Sequence, residues 1–427
     1  MKKVIVILII FSLVFFSFFL FKKEEKENEN ISIIIETNEG NIEASTYPDK
    51  EYYEYSNINC KDTSDFININ FNKETWKLNL SVEEEKVDGK FNCIVHFKQR
   101  NRLGTEVITS KYKENNTEGL IKLNQPETEQ TPALIEYRYS GSNEEVKNYV
   151  EFNNEIWRII GVFPVDDGTG KYEERLKIIR EESIGNYSFD STSAGINDFS
   201  ESTGGTRHIG AGSNQWGNSV DYEGADLMRL LNPGYESESI NNSLYWNGSS
   251  GTCYNEENNT TIACDFTSVG LSCEARDMIG EAKWYLGAKS YDTTTIEAYK
   301  LERGSNLPSP DIGRDITKTV SWIGKVAIAY PSDYGYASKV CYSNTSLSDY
   351  YLEKCLNSNY LSNNFQWRLI SPNNTNSFST SIVSSTGTNN GLYAAKAYGV
   401  RPTLYLKESI KIISGNGTIE KPYQLSL

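Results

Sequence analysis

Tyr149-Val-Glu-Phe-Asn-Asn-Glu-Ile-Trp-Arg-Ile-Ile-Gly-Val-Phe163 decides how the larger part of this chain folds. Apolar residues run up to Asn153-Asn154 and resume after them, and asparagine is among the few residues that tolerate the positive φ of a tight hairpin. The stretch therefore reads as two strands around a turn. Leu176 to Ile179 supplies a third strand beyond the Asp167-Gly-Thr-Gly170 turn, and the chain closes on Val400 to Leu406, a strand preceded by Gly399. Two helices are expected between them. One covers about residues 225–231 and stops at Asn232-Pro-Gly234, which does not continue a helix. In the other, Ala275, Met278, Ile279, Ala282, Tyr285 and Leu286 fall at helical spacing, with Ser272 placed to cap and Gly287 to end it. The Asn-, Ser- and Thr-rich stretches 341–365 and 371–390 read as loops between short strands.

Toward the N-terminus, residues 113–135 lose periodicity and gain Glu, Asn, Gln, Pro126 and Pro132, the composition of an exposed linker. Before it, Ile67, Ile69 and Phe71 alternate with asparagines, and Trp76, Leu78, Leu80 and Val82 with polar neighbours, the period of a half-buried strand. Phe91, Cys93, Val95 and Phe97 repeat the alternation beyond Asp88-Gly89, a dipeptide that favours hairpin turns. Cys93 then faces inward and His96 lies on the polar face. With the strand-like Ile31 to Glu36, residues 31–112 read as a small antiparallel β-sandwich and residues 136–427 as a loop-rich mixed domain, so the fold class is α+β.

Residues 4–21 are apolar except Ser12 and Ser17 and are flanked by Lys2-Lys3 and Lys22-Lys23. That length suits a membrane-spanning helix, which needs about 17–25 residues. No small-residue cleavage site follows, which favours an anchor within residues 1–23 over a removed signal peptide. A pilin-type leader would need a Gly before the apolar run and a Glu at its start, and neither is present. The expectation is a single-pass protein of the cell membrane, with the polar spacer 24–30 leading to residues 31–427 outside.

Seven cysteines group into three local pairs, Cys60 with Cys93, Cys253 with Cys264 and Cys341 with Cys355, leaving Cys273 over. Bridges of this kind belong to an oxidising exterior. The 42 Lys+Arg against 57 Asp+Glu give a net charge of −15, which speaks against nucleic acid as a partner. No G-x-S-x-G, phosphate-loop, H-E-x-x-H or D-x-D-x-D-G motif is present, so no catalytic residue, cofactor-binding residue or metal ligand is assigned. Calcium is retained as a candidate without a motif to specify it. His208 is the sole histidine of the large domain and lacks a nameable nucleophile partner, and Cys273, in the first turn of a helix, reads as an idle thiol. Trp157, Trp284 and Trp322 sit in apolar contexts and are assigned to the core. Trp216 and Trp246 sit among glycines and asparagines and are the weak candidates for an exposed ligand-binding platform.

Glu136-Tyr-Arg-Tyr139, the 149–163 stretch, Ile179-Arg-Glu-Glu-Ser-Ile-Gly-Asn-Tyr187, Ala225-Asp-Leu-Met-Arg-Leu-Leu-Asn-Pro-Gly-Tyr235 and Gly399-Val-Arg-Pro-Thr-Leu-Tyr-Leu406 resemble a group of anchored or secreted proteins of low-GC bacteria whose role is uncharacterised. The resemblance covers residues 136–427. The order of an early Trp-Arg strand, helices, a loop-rich middle, Trp367 with Ser371-Pro372 and a final Gly-Val-Arg strand is similar, at a distance, to C-type-lectin-like and formylglycine-generating-enzyme-like modules. The paired active-site cysteines of the latter have no counterpart here, nor do the calcium-site Glu-Pro-Asn and Trp-Asn-Asp texts of sugar-binding lectins. The resemblance implies a scaffold, and a scaffold does not specify a function. The expectation is a membrane-anchored surface protein carrying a non-catalytic ligand-binding or adhesion module for an extracellular glycan or protein. The alternatives are a cell-wall glycan-acting enzyme with paired carboxylates, or a structural subunit of a surface assembly.

Overall fold

The computed structural model describes residues 30–36, 47–61, 67–82, 90–113, 118–191, 210–311 and 316–427. The expected anchor at 4–21 lies outside them, and among the described residues no helix is long and apolar enough to cross a membrane. The chain divides into two compact units, Met1–Asn101 and Arg102–Leu427, built mostly of antiparallel sheet with few, short helices.

In the first unit, Lys90–Gln99 is the middle strand of three, antiparallel to Asn30–Glu36 on one side and Tyr53–Lys61 on the other. Ile67–Asn72 and Lys77–Val82 form a separate hairpin. Its turn sits at 73–76, where Asn72 Oδ1 accepts from the N–H groups of Glu74 and Thr75 at 2.9 Å, and Trp76 adopts a φ of 56°. Asp88-Gly89, the expected hairpin turn, lies outside the described residues; Lys77–Val82 and Lys90–Gln99, the strands before and after it, belong to different sheets. Phe71, Val95 and Phe97 make a core shared by both sheets, with Tyr55 stacked on Phe71 at 5.0 Å. Cys60 and Cys93 stand opposite each other on adjacent strands and are bridged.

In the second unit, the strands run in the order Val326–Ile328, Pro402–Tyr405, Tyr172–Arg180, Glu155–Asp166, Tyr149–Phe152, Tyr423–Ser426, Lys411–Ser414. Asn153 and Asn154 both take a φ of 58° and join Tyr149–Phe152 to Glu155–Asp166 with Phe152 opposite Glu155, the expected two-residue hairpin. Glu155–Asp166 is the pivot of the sheet. It pairs with Tyr172–Arg180 along one edge and with both Tyr149–Phe152 and Leu134–Tyr139 along the other. It is buried over most of its length, as a strand covered on both faces must be.

The linker expected at 113–135 is instead part of this unit. Leu120–Gln125 pairs antiparallel with Leu134–Tyr139, from Leu120 opposite Tyr139 to Gln125 opposite Leu134. Pro126 and Pro132 lie in the connection between these two strands, where neither interrupts the ladder. The unit begins earlier still, at the helix Gly104–Thr109, whose Val107 and Ile108 are fully buried.

Helix Asp226–Leu231 forms where expected. The second helix does so only in part. Ser272 Oγ accepts from Ala275 N at 3.1 Å and caps Cys273–Met278, but Ala282–Tyr285 is a strand with Trp284 opposite Trp322. Gly280 N donates to Tyr405 O at 2.9 Å, so the backbone leaves the helix to pair with the sheet. A five-stranded sheet built around Trp367–Pro372 and Ser379–Val383 and a hairpin of Ser250–Glu256 with Thr260–Asp265 complete the unit. The Cys253–Cys264 bridge ties that hairpin, and Cys341–Cys355 ties the segment after helix Pro331–Tyr336. Three bridges are consistent with an oxidising, extracellular setting.

Candidate functional site

The densest charge chemistry lies inside the second unit. Arg138 donates to Glu136 at 2.8 Å and to Asp333 at 2.9 Å, and Lys177 Nζ donates to the other Asp333 oxygen at 2.6 Å. Each of these four residues is at most 2 % exposed. Aromatic faces complete the cage: the Arg138 guanidinium lies 4.5 Å from the Phe163 ring and 4.7 Å from Tyr336, and Lys177 lies 4.5 Å from Tyr330. Burial alone would push the Asp333 carboxyl up, but Lys177 and Arg138 outweigh it and hold it below its ordinary range. Lys177 is pushed down by burial, with Asp333 opposing, to about 8. The adjoining cavity, lined by Glu136, Phe163, Arg303 and Tyr405, measures about 10 Å³. That is room for about one water and no substrate. The network is an internal clamp between sheet and helix.

A second buried group joins two carboxyls. Asp226 accepts from Ser191 N at 2.5 Å and from Arg229 Nη2 at 2.5 Å, and Asp190 accepts from Ser213 N at 2.7 Å. Burial, then the neighbouring Asp190 charge, push Asp226 up to about 7. Both are under 5 % exposed, so the pair is closed to a polymer substrate. A carboxyl whose folded pKa is raised contributes stability that is complete below its unfolded pKa, near 4, and lost as pH rises through the folded value. The urea midpoint is therefore expected to fall between about pH 4 and about 7. Asp190→Asn should flatten that slope, and an unchanged slope would mean that the two carboxyls do not share a proton.

Trp216 and Trp246 are not surface platforms. Trp216 is 1 % exposed and packs against Phe189 at 5.3 Å and Trp322 at 6.1 Å; Trp246 is 8 % exposed within the single turn Leu244–Asn247. The polar residues beside Trp216 point inward rather than to water. Asn214 Nδ2 reaches the carbonyls of Asn373, Asn376 and Ser379, and Gln215 Nε2 donates to Gly217 O and Thr319 Oγ1. A polar neighbourhood satisfied in this way does not expose the ring it surrounds.

Space of ligand size occurs elsewhere, in a cleft of about 580 Å³. One wall is the turn carrying Ser142, Asn143 and Glu144. The opposite wall is the segment 356–364, which contributes Asn357, Asn359, Asn363 and Asn364. The walls are pinned together at their base: Gly141 bridges to Asn359, and Gly141 N donates to Ala337 O at 3.0 Å. Asn359 Nδ2 donates to Tyr334 O at 3.0 Å, Lys339 pairs with Glu145 at 3.0 Å, and Cys341–Cys355 holds the start of the asparagine segment. Asn143, Asn357 and Asn364 are exposed. Each amide offers both donors and an acceptor, the pattern that matches sugar hydroxyls.

Along the sequence, residues 341–365 read only as a loop. The signal it contained was the density of amides in Asn357-Ser-Asn-Tyr-Leu-Ser-Asn-Asn364, but nothing along the chain indicated that residues 142–144 would face it. Of the other residues singled out, His208 lies outside the described residues. His96 meets Asn59 Nδ2 at 3.2 Å on an exposed face of the first unit. Cys273 is exposed and unbridged, with Arg276 Nη2 3.0 Å from its sulfur. Among the described residues no group of three or more His, Cys, Asp or Glu side chains is placed to hold a metal ion. No family model, curated protein or solved structure matches the chain.

Proposed function

We propose that this chain is a membrane-anchored bacterial surface protein whose second unit is a lectin-like module that recognises an extracellular glycan through the amide-lined cleft, without turning it over. The observation that carries the reading is the gathering of exposed asparagine side chains from two walls onto one ligand-sized space. Its volume of about 580 Å³ falls within the about 300–1,000 Å³ of small-ligand sites. Leu356 is the one apolar side chain of its lining, so the cleft suits a hydroxyl-rich ligand better than an apolar one. The apolar run at 4–21 and the three disulfides support an anchored, exterior location.

The full-length chain, presented to a panel of cell-wall and host-type polysaccharides, is expected to bind at least one. Asn357→Ala combined with Asn364→Ala should weaken that binding by at least about tenfold, because each substitution removes hydrogen bonds worth about 1 kcal/mol. Binding untouched by the pair would move recognition to another surface, and a panel without a single ligand would sink the proposal.

A further inference from the structure

We infer that the glycan taken by this cleft is acidic, with a carboxylate that pairs with Arg158; the inference rests on the reading of the cleft above and adds a charge to it. Arg158 stands on Glu155–Asp166 and is 0 % exposed. Its guanidinium lies over two rings, 3.7 Å from the centre of Tyr149 and 5.1 Å from that of Tyr360. Nη2 donates to Asn143 Oδ1 at 3.0 Å, and Asn143 lines the cleft. Nε and Nη1 have no hydrogen-bond partner among the described residues. The nearest carboxylate oxygen, Glu181 Oε1, is 3.8 Å from Nη1, beyond hydrogen-bond reach.

Glu181 is in any case shared. Its other oxygen accepts from Arg401 at 3.2 Å, and Arg401 is spent on the carbonyls of Arg180 and Leu361 besides. Glu181 is thus divided between two buried guanidiniums, with Glu182 acting on Arg401 as well, and Arg158, directly behind Asn143, is left without a carboxylate oxygen in hydrogen-bond reach. A buried cation in that condition is costly, and the fork of a guanidinium is shaped for the two oxygens of a carboxylate. Arg368 shows the contrast. It too is buried without a carboxylate, but both its terminal nitrogens are satisfied, by the backbone oxygens of Tyr393, Ala394 and Lys396 and by the Thr380 hydroxyl, and only Nε is without a partner.

Access runs through Asn143. Its amide oxygen occupies the place at Nη2 that a ligand carboxylate oxygen would take, and its exposed side chain can change rotamer without disturbing the turn, which Ser142 and Glu145 hold through their own mutual bonds. A further buried polar atom without a hydrogen-bond partner, Asn363 Oδ1, belongs to a residue of the same wall and is available to a ligand hydroxyl. Glu144, the carboxylate of the lining, is exposed and solvated, which screens its repulsion.

The test compares a tetrasaccharide of alternating N-acetylglucosamine and glucuronic acid with its carboxyl-reduced counterpart, each titrated against the full-length chain at low salt. The acidic form is expected to bind at least tenfold tighter. Asn143→Asp, an exposed change that supplies a carboxylate to Arg158 from the protein itself, should erase that preference, read as the ratio of the two affinities within the variant. Arg158→Gln should erase it as well; should that variant fail to fold, Asn143→Asp decides alone. Equal affinity for the two forms, or acidic preference surviving in Asn143→Asp, overturns the inference and leaves the cleft reading in place. Failure of both forms beside a polysaccharide from the panel that binds through Asn357 and Asn364 overturns it equally. Failure of every saccharide overturns the cleft reading too.

Discussion

Asp333→Ala is expected to lower the unfolding free energy of the second unit by about 3–5 kcal/mol, the cost of stranding buried charges by removing their partner. Asp333 accepts from Arg138, from Lys177 and from the backbone N–H of Tyr330, and these bonds close the N-terminus of helix Pro331–Tyr336. Alanine leaves two fully buried cations facing aromatic rings, with Glu136 compensating only Arg138. Lys177→Met should be much milder. Lys177 is already pushed down to about 8, Asp333 keeps Arg138, and methionine fills the same space among Trp284, Tyr330 and Tyr405. Urea unfolding followed by tryptophan fluorescence reads both variants. A loss under about 1 kcal/mol for Asp333→Ala would mean that the cations reach water by a small relaxation, and that the network does not clamp the helix to the sheet.

Gly161→Val is expected to cost about 3 kcal/mol, at or above the upper end of what overpacking a core usually costs. A Cβ at Gly161 would lie 2.1 Å from Tyr137 O and 3.0 Å from Arg138 Cα. Both are backbone atoms of the neighbouring strand, so no side chain can swing aside. Gly161 stands opposite Arg138 on one edge and Lys177 on the other, which makes it the hinge between the two cations of the buried network. The added side chain must therefore shift the residues that hold Asp333, and its effect should be non-additive with Asp333→Ala. Thermal unfolding of the two single variants and the double variant measures this. A melting temperature within about 2 °C of wild type for Gly161→Val, or strict additivity, would show that the strands part without disturbing the network.

Gly161 also shows how much of the fold was legible along the chain. Asn153-Asn154, the Asp226–Leu231 helix with its Asn-Pro-Gly stop and the Ser272 cap rest on properties of a few adjacent residues, and the three disulfide pairs on proximity within 11 to 33 residues; the structure realises each of them. Ala282–Tyr285 departs from the expected helix: apolar residues at 275, 278, 279, 282 and 285 satisfy a helical period, and only the pairing of Trp284 with Trp322, remote in the chain, makes the last of them a strand. Leu120–Gln125 was missed for the same reason: its alternation is short, and its partner strand lies beyond two prolines.

The site divides along the same line. The sequence by itself determined a mixed α+β second unit opening on the 149–163 hairpin, the absence of known catalytic motifs, and a pairing of the cysteines nearest in the chain, because turn conformation and side-chain period act over a few residues and chain proximity over a few tens. Only the tertiary structure decided that Trp216 and Trp246 are buried, that Arg138, Lys177 and Asp333 converge, and that Asn143 and Asn357 face one cleft with Arg158 behind it. Those outcomes depend on residues 15 to 214 positions apart in the chain being brought together. Burial and desolvated electrostatics are properties of the assembled surroundings, which no residue carries in its own neighbourhood.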